Sequence, residues 1–174
     1  MEYRMTIPFT EENLRKCKAG DILYLTGTMY TARDAAHKRM FETDSDKLPI
    51  DLKDVVIYYL GPTPARPGQV IGSAGPTTSG RMDKYTPALL DLGMKGMIGK
   101  GRRSEEVRAS IAKNHAIYMG ATGGAGALLS KCIKSAEVVA YDDLGTEAIR
   151  KLYVEDFPVT VLIDSEGKEL CHRV

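Results

Sequence analysis

Strand-like and helix-like stretches alternate along most of this chain, and that alternation restricts the fold more than any other feature. Asp21–Thr28 (DILYLTGT) has the two-residue period and β-rich content of a strand. Thr31–Glu42 then places Ala32, Ala35, Ala36, Arg39 and Met40 at helical spacing. Val55–Leu60 (VVIYYL) is a continuous apolar run, the pattern of a strand buried on both faces. Gly96–Gly99 and His115–Gly120 read as further strands. Between them Ser104–Asn114 reads as a helix, with Ser104 as its cap and Glu105 and Glu106 at the positive end of its dipole. Such an order specifies the α/β class, with helices flanking a sheet.

The remaining segments modify this pattern. Thr10, followed by Glu11, Glu12 and Leu14, opens a helix expected to stop near Gly20. Thr43–Asp54 is polar and contains Pro49, so it reads as a loop. Gly61–Gly68 carries Pro62, Pro64 and Pro67, which excludes helix and central strand alike. Gln69–Ser73 reads as a resumed strand and Met82–Leu92 as a helix. From Ala121 a glycine-rich turn leads into a short helix, and Ala136–Tyr141 reads as a strand. Leu152–Asp164 is read as one or two strands interrupted by Pro158. Ser165–Lys168 is a hairpin turn leading to a last strand, Glu169–Arg173. The antiparallel tail favours a mixed sheet over a wholly parallel one, and 174 residues fit one domain spanning 1–174.

Charge and cysteine usage exclude several functional classes. With 24 basic and 23 acidic residues the net charge is +1, which gives no general attraction to nucleic acid or to an anionic membrane. MEYRMTIPF lacks the basic and apolar regions of a signal peptide. No apolar run approaches the roughly 20 residues that span a bilayer, so the expected compartment is the cytoplasm. Cys17, Cys132 and Cys171 are far apart and form no CxxC pair, so they are expected to be small apolar residues and not metal ligands.

Four polar or glycine-rich segments follow strands, where α/β folds place their ligands. They are Thr31–His37, Gly75–Asp83, Gly99–Arg103 and Gly120–Gly126. In the second, glycines at 75 and 80 permit tight turning, and Thr77, Thr78 and Ser79 present hydroxyls where a helix is expected to begin. Arg81 adds a planar fork suited to a carboxylate. Arg33 lies in a first helical turn, where a cation opposes the dipole, and His37 is one turn further on. Lys100, followed by Arg102 and Arg103, carries positive charge at a strand end. The fourth segment is rich in glycine but lacks the spacing of a P-loop or a dinucleotide fingerprint. Singly, each reads first as something plainer: a capped turn, a surface arginine or histidine, a solvated basic turn or close strand-to-helix packing. Together, Arg33, Arg81, Lys100 and the threonine hydroxyls describe a pocket for a small polyanion, phosphate or dicarboxylate.

The wording of these blocks is more specific than their chemistry. TARDAAHKR at 31–39, YYLGP at 58–62, GPTTSGRMD at 75–83, GKG at 99–101, GATGGAGALL at 120–129 and GTEAIRKLYVEDFPV at 145–159 run through the whole chain. In order and spacing they resemble the β subunit of class I fumarase and L(+)-tartrate dehydratase, which forms the C-terminal domain of one-chain members. The resemblance implies a swivelling β/β/α domain that closes over a [4Fe–4S] cluster held by cysteines of an α subunit, not by this chain. The reaction it implies is reversible hydration of fumarate to L-malate, or dehydration of tartrate. Carried over by motif, Arg33, Arg81 and Lys100 bind the substrate's carboxylates with Thr78 beside them. Thr77 is the candidate for proton transfer, and His37 and Asp83 support these groups from behind. The implied assembly is a hetero-oligomer with the α subunit, a homodimer being an alternative for the isolated chain. A non-enzymatic small-anion-binding module is the other functional class left open, and the motifs do not separate fumarate from tartrate.

Overall fold

The computed structural model describes residues 1–121 and 126–170. Among them are seven strands: β1 (Glu2–Ile7), β2 (Ile22–Thr31), β3 (Val56–Tyr58), β4 (Gly96–Gly99), β5 (Ile117–Ala121), β6 (Ile133–Ala140) and β7 (Ile149–Ile163). The helices are α1 (Glu11–Lys16), α2 (Asp34–Phe41), α3 (Thr86–Asp91), α4 (Glu105–Asn114) and α5 (Gly126–Ser130). The strands lie in the order β1-β2-β3-β4-β5-β7-β6, and β7 also pairs with β2. The ring β2-β3-β4-β5-β7 is therefore a small mixed barrel, with β1 and β6 as flanking strands. The expected mixed sheet flanked by helices is present, and it closes on itself, which the sequence reading does not anticipate.

β2 to β5 run parallel, and β7 is antiparallel to all three strands it pairs with, β2, β5 and β6. Alternate residues of the short central strands divide between two cores. Val56, Tyr58, Ile98, Ile117 and Met119 pack with Leu23, Leu25, Phe157 and Val159. Ile57, Tyr59, Met97 and Tyr118 pack with Ala36, Met40, Leu89, Val107 and Ile111 from α2, α3 and α4. Burial on both faces explains why VVIYYL is continuously apolar.

β7 reaches two neighbours along one edge: Ile149–Val154 pairs with β6, and Val159–Ile163 pairs with β5. A bulge separates the halves, since Leu25 pairs with Phe157 but Gly27 with Val154. Asp156 there has φ 47°, and its amide donates to Thr26 Oγ1 at 3.1 Å. The extra residue bends the strand so that one segment serves both the barrel and its flank. Pro158 does not break it, contrary to the expected interruption. Val161 N–H donates to the Asp21 carbonyl, so by alternation the amide of residue 159 faces β2 and the imide nitrogen of Pro158 does not.

Three further expectations are corrected. Gln69–Ser73 is not a strand. Its polar groups are tied within the loop, with the Gln69 amide donating to the Arg66 carbonyl and the Ser73 amide to Thr63 Oγ1 at 2.7 Å. The helix expected over Met82–Leu92 is split into a 3-10 turn, Ser79–Met82, and α3, which starts at Thr86 with Pro87 in its first turn. His115 is not a strand residue, because it takes the left-handed cap of α4 at φ 53°. The last expected strand is seen as one bridge, Ile163 with Glu169, and its end lies outside the described residues.

Candidate active site

The parallel strands end side by side. Thr31 pairs with Tyr58, Tyr58 with Ile98, and Gly99 with Gly120, so the segments that follow them share one rim of the barrel. Each of the four candidate segments thus has a residue at this rim, although residues 122–125 of the fourth lie outside the described ones.

The Gly75–Asp83 segment reaches the rim through backbone bonds. The Thr77 amide donates to the Tyr59 carbonyl at 2.8 Å, Thr78 forms a parallel bridge with Lys100, and the Ser79 amide donates to the Lys100 carbonyl at 2.9 Å. This stitching brings Thr77, Thr78 and Lys100 together. Gly99 permits it, because a Cβ there would stand 2.0 Å from Ser79 Oγ. The Thr77 hydroxyl has no hydrogen-bond partner and Lys100 no ion pair among the described residues.

Arg33 and Arg81 meet at Asp34. Arg81 Nη2 lies 2.9 Å and Arg33 Nη2 3.7 Å from the same oxygen, Asp34 Oδ2. The Arg33 side chain is 24% exposed and that of Arg81 54%. Arg33 occupies the cap position of α2 without capping it. The free Ala35 amide is satisfied instead by Glu147 Oε1 at 3.2 Å. Arg33 lies along Gly61, where a Cβ would come within 2.8 Å of its Cδ and Nη1. Its Nε is buried and unpartnered among the described residues. Arginine on arginine is repulsive, so the shared carboxylate is what holds the two forks at one place.

The two supporting residues are turned away from this cluster. His37 is fully buried, and its Nδ1 lies 2.8 Å from the Arg33 carbonyl, so Nδ1 carries the proton. Its ring packs edge-on to Tyr59 at 5.3 Å, and Nε2 has no partner among the described residues. Burial pushes its pKa down to about 4, which keeps the imidazole neutral. Its effect on the rim is confined to holding the Arg33 backbone. Asp83 faces Arg103, whose Nε donates to Oδ1 at 2.6 Å, while the Ser104 amide donates to Oδ2 at 2.8 Å.

Sequence reasoning counts Arg103 with Lys100 and Arg102 as rim charge. Its side chain is instead 0% exposed, and its guanidinium also donates to Tyr59 Oη and Thr86 Oγ1. Asp34 was the other residue missed as a site component. Its place beside Arg33 in TARDAA is a cue, but nothing in that spacing reveals Arg81 on its far side.

Neither of the two described cysteines joins this cluster. Cys17 is buried beneath β1 and α1, its thiol pushed up to about 11 mainly by burial. Cys132 bonds weakly to the Asp156 carbonyl, and Cys171 lies outside the described residues. Among the described residues no three His, Cys, Asp or Glu side chains converge as metal ligands. No helix there is long and apolar enough to cross a membrane. A cleft of about 640 Å³ lies elsewhere, between the Thr63–Ser73 loop and the start of β6. The rim cluster gathers cations and hydroxyls from several loop ends.

Residues 2–174 match the family described as Fumarase C-terminus. The chain belongs to the fumarase C-terminus family. Its relatives include "Fumarate hydratase class I, anaerobic" of Escherichia coli, 44% identical over 156 residues, which cover 87% of this chain and 28% of that protein. "Fumarate hydratase 2" of Leishmania major is 35% identical over 174 residues, 98% of this chain and 31% of that one. "Putative L(+)-tartrate dehydratase subunit beta" of Methanocaldococcus jannaschii is 36% identical over 182 residues, 100% of this chain and 93% of that one. The chain thus spans less than a third of the fumarate hydratases it resembles and nearly all of the tartrate dehydratase subunit.

Proposed function

We propose that this chain is the substrate-gripping β subunit of an iron–sulfur hydro-lyase that interconverts fumarate and L-malate. One observation carries the reading: two arginine forks share one carboxylate at a rim where Thr77, Thr78 and Lys100 are stitched alongside. A dicarboxylate needs cations at both ends, and three cations against one Asp34 leave positive charge to receive it. Arg33 and Arg81 grip one carboxylate and Lys100 the other. Thr77, whose hydroxyl is free of protein partners among the described residues, stands at the carbon that gains or loses the proton. A threonine hydroxyl is a very weak base, so its role requires the adjacent cations or a carboxylate from a partner.

The [4Fe–4S] cluster that such chemistry uses as Lewis acid belongs, in this reading, to an α subunit, since the described cysteines here stand apart. The swivelling of the domain, its action as one unit over 1–174 and a cytoplasmic location are part of the same proposal. The test is assay of malate dehydration by the chain alone and with its α subunit. Activity only in the mixture is expected, and full activity of the isolated chain would falsify the shared site. The near full-length match to a tartrate dehydratase subunit supports a second reading, L(+)-tartrate as the substrate. The ratio of kcat/KM for the two substrates in the complex decides between them. Dicarboxylate binding without turnover in the complex would instead favour a simple anion-binding module.

A further inference from the structure

We infer that Arg103 is a positioning residue for the rim site: its buried guanidinium sets where Thr77, Arg81 and Lys100 stand relative to one another. This rests on the functional reading above.

Three routes lead from Arg103 to the rim, each through a different group. Nε holds Asp83, two residues beyond Arg81, and the neighbouring Ser104 amide clamps the other Asp83 oxygen. Both oxygens of that carboxylate are thereby fixed, and with them the end of the turn that carries Arg81. Nη2 donates to Tyr59 Oη at 3.1 Å, and the Tyr59 carbonyl accepts the Thr77 amide. The guanidinium also stacks over the ring of Tyr118, 4.8 Å from its centroid, and over that of Tyr59 at 5.2 Å. Tyr118 Oη donates to the Gly101 carbonyl at 2.8 Å and so accepts from the Ser79 hydroxyl at 2.7 Å. Those two residues flank Thr78 and Lys100 in chain order. Arg103 itself is three residues from Lys100, so the Lys100 turn is anchored at its base.

The donor geometry explains why an arginine is needed. Three acceptors, Asp83 Oδ1, Tyr59 Oη and Thr86 Oγ1, lie in different directions around one planar group between two aromatic faces. A lysine offers a single point charge with no planar face and cannot meet all of them. A buried ion pair adds little net stability over an apolar replacement of the same shape, and what it adds is direction.

The experiment uses the complex with its α subunit and three variants: Arg103→Lys, Tyr118→Phe and Arg81→Ala. Steady-state kinetics with L-malate and L(+)-tartrate are measured beside thermal melting of each complex. A variant that is merely less stable lowers the active fraction, which reduces apparent kcat and leaves KM unchanged. A misplaced grip raises KM. Arg103→Lys is expected to raise KM at least tenfold in complexes that remain folded, and Tyr118→Phe, which keeps the ring and loses only the hydroxyl, about threefold. If Arg103→Lys does not fold, Tyr118→Phe alone decides, and KM within error of wild type overturns the inference. Unchanged KM in both variants, with Arg81→Ala impaired, overturns the inference and leaves the functional reading standing. Wild-type kinetics in Arg81→Ala, or no turnover of either substrate by the wild-type complex, defeats the functional reading and the inference with it.

Discussion

Arg81 and Arg103 lie in neighbouring loops on the same side of the barrel, yet their surroundings are opposite. Arg81 is half exposed and touches one carboxylate, which it shares with Arg33. Arg103 has no exposed side-chain surface and meets a carboxylate, two hydroxyls, a thioether and two aromatic faces. Saturated donors in a closed shell hold parts of the protein together, whereas free donors at an open rim await something from outside. In this chain the two kinds of donor stand in adjoining loops, linked by Asp83, which the closed shell holds two residues from Arg81.

The largest effect expected from breaking this contrast is on stability at the closed end. Arg103→Ala strands Asp83 and should cost about 3–5 kcal/mol, read by urea denaturation of the isolated chain. A loss comparable to that of a surface pair would show that the shell is not cooperative. The open end should respond in the other currency. Arg81→Ala is expected to leave unfolding within about 0.5 kcal/mol of wild type and to lower kcat/KM of the complex about 10²–10³-fold. Unfolding of that variant, or full activity in it, would erase the distinction.

His37 sharpens the comparison through pH. Its folded-state pKa of about 4 lies below the ordinary histidine value of 6.5, so the unfolded chain takes the proton first. The neutral ring's contribution is complete above about pH 6.5 and is lost as pH falls toward 4, by up to about 3 kcal/mol. Denaturation midpoints at pH 7 and pH 4.5 should differ less in His37→Leu than in wild type, and an unchanged difference would exonerate this residue. The smallest effect belongs to Gly61. A methyl group there meets Cδ and Nη1 of Arg33 at 2.8 Å and the Thr146 carbonyl at 3.3 Å, so Gly61→Ala should displace one fork and raise KM roughly tenfold, with melting lowered only slightly.

What the sequence discloses follows the range of the interactions involved. α4 is legible to the residue because its start is written locally, in Ser104 and the two glutamates after it, and Ser104 Oγ does accept the Val107 amide. Barrel closure is not legible, because it depends on Ile22 meeting Thr160 across the length of the chain. Pro158 looks like an interruption until the direction of its missing amide is known. The rim residues are visible as chemistry in their segments, but Asp34 is seen as a bridge only once Arg81 is brought beside it. Arg102 and Arg103 are adjacent and alike in sequence. One is exposed and the other buried, a difference set by Tyr118 of β5 and Tyr59 just past β3.

The position of β7 in the chain has a consequence for synthesis. β2, β3, β4 and β5 emerge in order from the ribosome, each able to line up against the last, but the seam between β5 and β2 stays open until residues past Ile149 appear. Until then two hydrogen-bonding edges are bare, and the loops that carry Arg33, Arg81 and Lys100 hang from an unsealed sheet. A nascent chain of this kind keeps bare strand edges until β7 is made, and only then are the rim loops held by a closed barrel.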